Sequence, residues 1–485
     1  MRLVVGVMVF IVMSISMPAA YAASTEDRLR ALENLVRSQQ EEIKELRGEL
    51  KQQKVVGAAA SDQAARAEDQ AKAVEKKATA SIPQWINKFT PFGDMRLRQE
   101  GFYDQPTPTN TNGKGPAVTA RNRTRIRYRL GLQYVYSDEL SVTGRLASGN
   151  PNDPISTNQT LTGNFTPFSI NLDWAYMTFT PGNTFGIRPG LFSISGGKFP
   201  NPMFRVGEMV WDDDLSPEGF SEMWQFLDRP YGPLDQVKLY TEQWSFNEVS
   251  TGGHDGWMFG GQVNPTMHAG PFLVEGGIGQ FWWNNVNSIA VATSKNSTSF
   301  NAAGQPIANS SFNSSLVNTN LVTTQTIQPP PVGGKTPASF TSITGFQSGF
   351  NESNVTLAAT LPNAAGTMPL RFFFDYVYNW MAPNDDAHGV MGGFKLGAPK
   401  VRGDWAGILS YEYLMQEAAL STFTWSDFGV NGGTNEKGPV VELDYQLLDP
   451  LTLAARGIFT EYIIPPPNTK NRMDARMQLD AMVRF

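Results

Sequence analysis

Arg121-Asn122-Arg123-Thr124-Arg125-Ile126-Arg127-Tyr128-Arg129-Leu130 carries an arginine at every second position. In a β-strand successive side chains leave on opposite faces, so this spacing puts five guanidinium groups on one face. The other face starts polar at Asn122 and Thr124 and becomes apolar through Leu130, Leu132, Tyr134 and Tyr136. On the lipid side of a membrane barrel a single arginine costs roughly 2–4 kcal/mol near the midplane. If the greasy face meets hydrocarbon, the arginine face must therefore border water. The alternatives are a solvated sheet face or a basic ribbon for nucleic acid.

Both ends of the chain favour the barrel. Arg2 followed by the mostly apolar Leu3 to Met13 and by Ala20-Tyr21-Ala22 reads as a secretory signal peptide, 1–22, cleaved after Ala22. The apolar core is short for a spanning helix, and export from the cytoplasm removes most of the case for a nucleic-acid ligand. At the other end, Met477-Gln478-Leu479-Asp480-Ala481-Met482-Val483-Arg484-Phe485 alternates apolar and mostly polar residues and stops on an aromatic one. This resembles the terminal strand of bacterial outer-membrane barrels, and the resemblance implies that Phe485 is read by the barrel-assembly machinery.

Composition narrows the choice. The 485 residues include no cysteine, which excludes disulfides and thiolate metal sites. No long apolar run follows the signal, so a helical membrane protein is excluded. Many Gly, aromatic and Asn/Ser/Thr residues suit strands that are apolar on one side only. The net charge of −6 argues weakly against a general polyanion binder. Residues 23–80 predict a periplasmic coiled coil and an Ala-rich helical spacer. Leu29, Leu32, Val36, Ile43, Leu46 and Leu50 alternate spacings of three and four, with Gln39 and Gln53 at the remaining core positions. Arg28, Leu29, Leu32 and Glu33 match a trimerisation motif, Arg28 of one chain pairing with Glu33 of a neighbour. A homotrimer is the expectation, with peptidoglycan as a further contact of the coil.

Residues 81–485 predict an all-β fold, a transmembrane antiparallel β-barrel of about sixteen strands near 92–102, 120–136, 140–148, 170–180, 187–198, 217–227, 236–246, 256–264, 271–283, 349–361, 369–379, 389–397, 403–415, 438–447, 451–462 and 474–485. Short turns such as Ser137-Asp138-Glu139 and Leu448-Asp449-Pro450 follow even strands, and long segments follow odd ones, the rhythm of an outer-membrane barrel. An even count places both termini on the periplasmic side. The loop from Asn284 to Ser348, nearly devoid of charge, is either a mobile extracellular loop or a lid over the mouth. Trp282, Trp283 and Trp380 are expected in the aromatic girdle at the membrane interface.

On the first strand, Arg96 and Arg98 share a face with Asp94 and Glu100, close to Arg121, Arg123, Arg125, Arg127 and Arg129, and Arg145 extends the patch. Like charges this close need water or facing carboxylates. Asp212, Asp213, Asp214 and Glu218 on the third long loop are the candidates; an exposed acidic turn and a site for a hard cation such as Ca²⁺ are the alternatives. Across a lumen about one Debye length wide, ~8 Å at physiological salt, such a field persists.

The run Phe92 to Arg98, the arginine strand, Gly197-Lys198-Phe199-Pro200-Asn201-Pro202 and Trp211-Asp212-Asp213-Asp214 together resemble the bacterial "putative porin" family. That resemblance implies a signal peptide, often a coiled-coil leader, one outer-membrane barrel in contact with lipid, and passive diffusion of small hydrophilic solutes. The loop position and charge sign are also similar to trimeric general porins, whose third loop folds inward opposite a basic wall. A water-filled channel with a modest anion preference is the expectation, without cofactor, metal or nucleic acid. An envelope tether working through the coil, or a barrel sleeve around a partner cytochrome, are the alternatives. Catalysis is not expected: His254, His268 and His388 lack metal-ligand spacing and no Ser-His-acid signature is present.

Overall fold

The computed structural model describes residues 33–34, 36–45, 47–48, 51, 85–105, 119–227, 229–248, 254–300, 306–331, 333–429, 432–467 and 471–485. The signal peptide, Arg28, Leu29, Leu32 and most of the spacer lie outside the described residues. The chain divides into two compact units, 1–86 and 87–485. In the first, residues 36–45 are α-helical. Val36 and Ile43, seven residues apart and so on one helix face, are 48% and 50% exposed.

The described residues of the second unit form β1 (Phe89–Gln105), β2 (Thr119–Ser137), β3 (Leu140–Ala147), β4 (Gln159–Thr160), β5 (Asn171–Phe179), β6 (Phe192–Lys198) and β7 (Glu218–Leu227). There follow β8 (Leu234–Asn247), β9 (Gly256–Ala269), β10 (Phe272–Asn284), β11 (Asn296–Phe300), β12 (Pro306–Ala308), β13 (Val322–Ile327) and β14 (Phe340–Phe346). The chain ends with β15 (Asn351–Ala365), β16 (Met368–Asn379), β17 (His388–Gly397), β18 (Trp405–Leu414), β19 (Glu436–Leu448), β20 (Leu451–Tyr462) and β21 (Asp474–Arg484). Sixteen of these, all but β4 and β11 to β14, pair antiparallel with the next in order, and β21 returns to β1. The sheet is therefore a closed barrel with no free edge, the only β arrangement that leaves no backbone group unpaired in hydrocarbon.

At the seam, Asp94 pairs with Arg484 and the register runs to Tyr103 with Ala475. Phe485 extends it: its N–H donates to the Gly93 carbonyl (3.1 Å) and its own carbonyl accepts from the Gly93 N–H (2.8 Å). A Cβ at Gly93 would stand 2.7 Å from the Phe485 ring, so glycine is what lets this aromatic residue lie against the first strand.

Strand alternation sorts the residues as the sequence predicts. Met95, Leu97, Tyr128, Leu130, Leu132, Phe372, Phe374, Leu443 and Tyr445 are exposed on the outer face. Asp94, Arg98, Glu100, Arg125, Arg127, Asp375 and Asp444 are buried inside. Two-residue turns join β9 to β10 and β15 to β16. Gly270 and Gly366 there adopt φ of 60° and 67°, the sign a tight hairpin needs at its first central position.

At the opposite end the described residues of the connections 148–170, 199–217, 285–350 and 415–435 turn inward. Met209, Trp211 and Leu215, with Val286, Ile289, Phe346, Phe350 and Leu420, form one buried apolar cluster against the wall residues Trp244, Met258, Phe281, Trp283, Val377, Met391 and Leu414. Each of these wall residues lies within a few positions of the long-loop end of its strand. Among its described residues, the charge-poor segment after β10 packs across the mouth. Leu321 N–H donates to Glu417 (2.6 Å) and Asn320 Nδ2 to the Ala419 carbonyl (2.9 Å). This decides between the two expectations for that loop in favour of a folded lid.

Candidate channel interior

Three neighbouring strands carry the charged wall. Register pairs Asp94 with Arg129, Arg96 with Arg127, Arg98 with Arg125 and Glu100 with Arg123. Across the seam it pairs Arg98 with Asp480, Glu100 with Gln478 and Phe102 with Arg476. The arginine row therefore faces a mixed row rather than a second cationic one. Arg127 Nε donates to Asp94 Oδ1 (2.9 Å) and Arg129 Nε to Asp94 Oδ2 (2.7 Å). Arg123 pairs with Glu100, which also receives Arg476 Nε at 2.8 Å. Arg145 pairs with Asp173 at 2.5 Å and lies 3.3 Å from the centre of the Trp174 ring. Arg121, at the loop end of the row, is exposed.

The third long loop brings its acids to this wall. Asp214 Oδ1 lies 3.1 Å from Arg129 Nη1 and 3.7 Å from Arg127 Nη1, and its other oxygen accepts from Thr157 N–H at 3.1 Å. Burial acts to raise the Asp214 carboxyl, but Arg127 and Arg129 outweigh it and hold it below the ordinary value. Asp212 is buried and accepts from Ser426 N–H (2.8 Å) and from Asp214 N–H (2.8 Å). Burial, with Glu208 and Asp214 close by, pushes its carboxyl well above the usual range. Asp213 is largely exposed and pairs with Arg205 of the same loop at 3.4 Å. Glu218 stands apart as the first residue of β7, where it pairs with Lys198 at 2.7 Å. Of the four loop acids, only Asp214 reaches the arginine row directly.

Other charged groups here were not singled out from sequence. Asp427, on the loop between β18 and β19, accepts from Arg98 Nη1 (2.7 Å) and lies 3.0 Å from Arg476. Burial acts to raise it, and Arg476 with Arg98 drive it well below 3.8. Asp480, Arg476 and Arg456 occupy the inward face of β21 and β20. The alternation of the terminal strand signals Arg476 and Asp480 once barrel closure sets β21 beside β1; nothing local marks Asp427. Trp282 and Trp380 point outward as expected, at 46% and 64% exposed. Trp283 does not join that girdle: as the next strand residue it faces inward and stacks on Phe423 at 5.4 Å.

Below the loop carboxylates, towards the short turns, lies a cavity of about 500 Å³. Arg96, Arg98, Arg127, Lys395, Lys400, Arg456 and Arg484 line it, against Glu208, Asp212, Asp213, Asp214, Asp427, Glu442, Asp444 and Asp480. A second cavity of about 480 Å³ lies on the loop side, and both reach Asp214. Among the described residues no group of three or more His, Cys, Asp or Glu is arranged to hold a metal ion.

No curated protein matches this chain. Solved structures similar to it include Pseudomonas putida OprB at high pH, with 9% identity and TM-score 0.45 over 83% of this chain and 96% of that one. Salmonella typhi OmpF in complex with daunomycin shows 10% identity and TM-score 0.44, covering 83% and 99%. An anion-selective porin from Comamonas acidovorans shows 12% identity and TM-score 0.41, covering 82% and 99%. Residues 18–485 match the family described as "Putative porin", and the chain belongs to that family of outer-membrane barrels.

Proposed function

We propose that this outer-membrane barrel is a water-filled channel for passive diffusion of small hydrophilic solutes, with an arginine-lined wall and a modest preference for anions. The observation that carries this reading is the charged cavity of about 500 Å³, bounded by Arg96, Arg98 and Arg127 on one side and by inward-folded loop carboxylates on the other. Opposed charges across so short a gap orient dipolar solutes and sort ions. Seven basic and eight acidic side chains line the cavity. Burial, with Asp213 adding to it, raises the Glu208 carboxyl to about 8, and Asp212 lies well above its usual range. With Glu208 protonated near neutral pH, seven basic groups face the seven other carboxylates, and the upward push on Asp212 tilts that balance towards the basic side. The selectivity is accordingly slight.

Planar-bilayer recording across a KCl gradient tests this. A reversal potential on the anion side is expected, and joint replacement of Arg123, Arg125 and Arg127 by Gln moves it towards cations. A cation-selective wild type, or a triple variant with unchanged reversal potential, overturns the preference.

The exposed Val36 and Ile43 on one face of the described helix favour a second role, homotrimerisation through the leader, with peptidoglycan contact as an envelope tether. Deleting residues 24–80 then separates the two roles, loosening the envelope while conductance persists. A sleeve around a cytochrome has less support, because the protein's own loops occupy the space a carrier would take. The docked Phe485 suits recognition by the barrel-assembly machinery.

A further inference from the structure

We propose that Arg121, Arg123, Arg125 and Arg476 form a subsite for a small oxyanion, a carboxylate or a phosphate, at the loop end of the charged wall. The proposal rests on the channel reading and deepens it by naming a class of solute.

These four arginines line a separate cavity of about 160 Å³. Since one water occupies roughly 30 Å³ of liquid, the space suits an anion of a few heavy atoms with its water. Two carboxylates, Asp153 and Asp427, share the lining, so basic groups outnumber acidic ones by two. Asp427 is already engaged by Arg98 and Arg476. Behind the wall, Glu100 takes up Arg123 and Arg476.

Arg121 is exposed to water, and Arg125 is the buried member left over. It is only 8% exposed, its closest carboxylate oxygen is 4.0 Å away on Glu100, and its Nε has no hydrogen-bond partner. Its Nη2 reaches only neutral groups, Ser156 Oγ at 3.2 Å and the Asn158 carbonyl at 3.4 Å. A buried guanidinium with an idle N–H and no close counter-ion is stabilised by an arriving oxyanion, which accepts planar, charge-assisted hydrogen bonds. The cluster is also held in place without a ligand. Arg123 and Arg476 lie 5.0 Å and 4.7 Å from the centre of the Phe102 ring, and the Ser156 hydroxyl fixes Arg125. Such pre-arrangement lowers the ordering cost of binding.

The test uses the full chain in planar bilayers, in KCl, with succinate or inorganic phosphate added on the loop side. The expected result is a saturable fall in chloride conductance, with a half-blocking concentration raised about tenfold in Arg125→Gln, as for loss of one charge-assisted hydrogen bond. Arg125→Lys keeps the charge and loses the fork, so it falls between. Block by succinate alone assigns a carboxylate; block by phosphate alone assigns a phosphate. Should Arg125→Gln fail to fold, Arg121→Gln at the exposed end of the row carries the same expectation in weaker form. Conductance that never saturates, or a half-blocking concentration unmoved by these variants, overturns the subsite while leaving the channel intact. Absence of any KCl conductance in the wild type overturns the channel reading itself.

Discussion

Arg98 on the first strand and Asp480 on the last clasp each other across the seam that closes the barrel, with Nε to Oδ1 and Nη2 to Oδ2 both at 2.7 Å. The Arg98 side chain is 1% exposed and that of Asp480 14%. A paired, fork-matched guanidinium is tolerated there; an uncompensated one is not. Asp480→Ala leaves Arg98 with Asp427 alone and is expected to cost about 3 kcal/mol, at the low end for breaking a buried pair because one partner remains. Urea unfolding in detergent measures this. Replacing both members by Met and Leu is expected to recover most of the loss, and a double variant as unstable as the single one refutes the account.

The loops that enter the lumen are held by acids shifted in opposite directions, so their docking has two pH limits. Asp214 and Asp427 lie below their ordinary value of 3.8 in the folded protein, through Arg127 and Arg129 and through Arg476 and Arg98. Their contribution is complete above the unfolded value and is lost as pH falls through the lower folded one. Glu208 lies at about 8, raised by burial and by Asp213, so the folded state holds an extra proton between 4.5 and 8 and docking weakens as pH rises through that range. Limited proteolysis of the loops is expected to be slowest near pH 5, faster above pH 8 and faster again below about pH 3. Glu208→Gln is expected to shrink the alkaline limb, the remainder coming from Asp212, whose carboxyl burial also raises, and to leave the acid limb. An alkaline limb of undiminished size in that variant assigns it elsewhere.

Much of this architecture is legible in the chain because a barrel wall obeys a two-residue period. Arg121 to Arg129, Leu370 to Tyr378 and Trp405 to Tyr413 each declare a lipid face and a lumen face, and the long and short connections give direction. The same period places Arg476 and Asp480 opposite Phe102 and Arg98, on the face they share with Glu100, provided the seam register is known. The lumen contents obey no such period. Asp427 reaches Arg98 only because the loop between β18 and β19 folds inward, and the apolar residues Met209, Trp211, Ile289 and Leu420 come from three separate loops that meet inside. Trp283 shows the limit within a strand. Next to Trp282 it looked like a girdle residue, yet adjacent positions face opposite ways.

Asp214 is the loop acid that meets the arginine row, which makes it the test of how the wall's charge is balanced. Asp214→Asn leaves Arg127 and Arg129 sharing Asp94 alone. The anion-to-cation permeability ratio is expected to rise about threefold, the factor given by roughly one kT of local potential. The same change at Glu218, which pairs with Lys198 on the rim, is expected to leave the ratio within error. Equal effects at the two positions refute a specific role for Asp214.

Trp283 joins the wall to the folded loops: its ring stacks on Phe423 at 5.4 Å and lies 5.8 Å from Trp211, so it touches two of the inward segments. Its indole N–H points to Glu352 at the weak distance of 3.4 Å, so packing rather than hydrogen bonding is its main contribution. Truncation of a buried Trp to Ala typically costs about 3–5 kcal/mol. Here the loss falls on loop docking, because the backbone pairing of β10 with β9 and β15 does not depend on the side chain. Trp283→Ala is therefore expected to insert and to keep the mobility of a folded barrel on unheated gels. Its single-channel conductance is expected to exceed the wild-type value and to fluctuate as the loops leave and return. Unchanged, quiet conductance in a folded Trp283→Ala barrel means that the apolar cluster does not set the width of the passage.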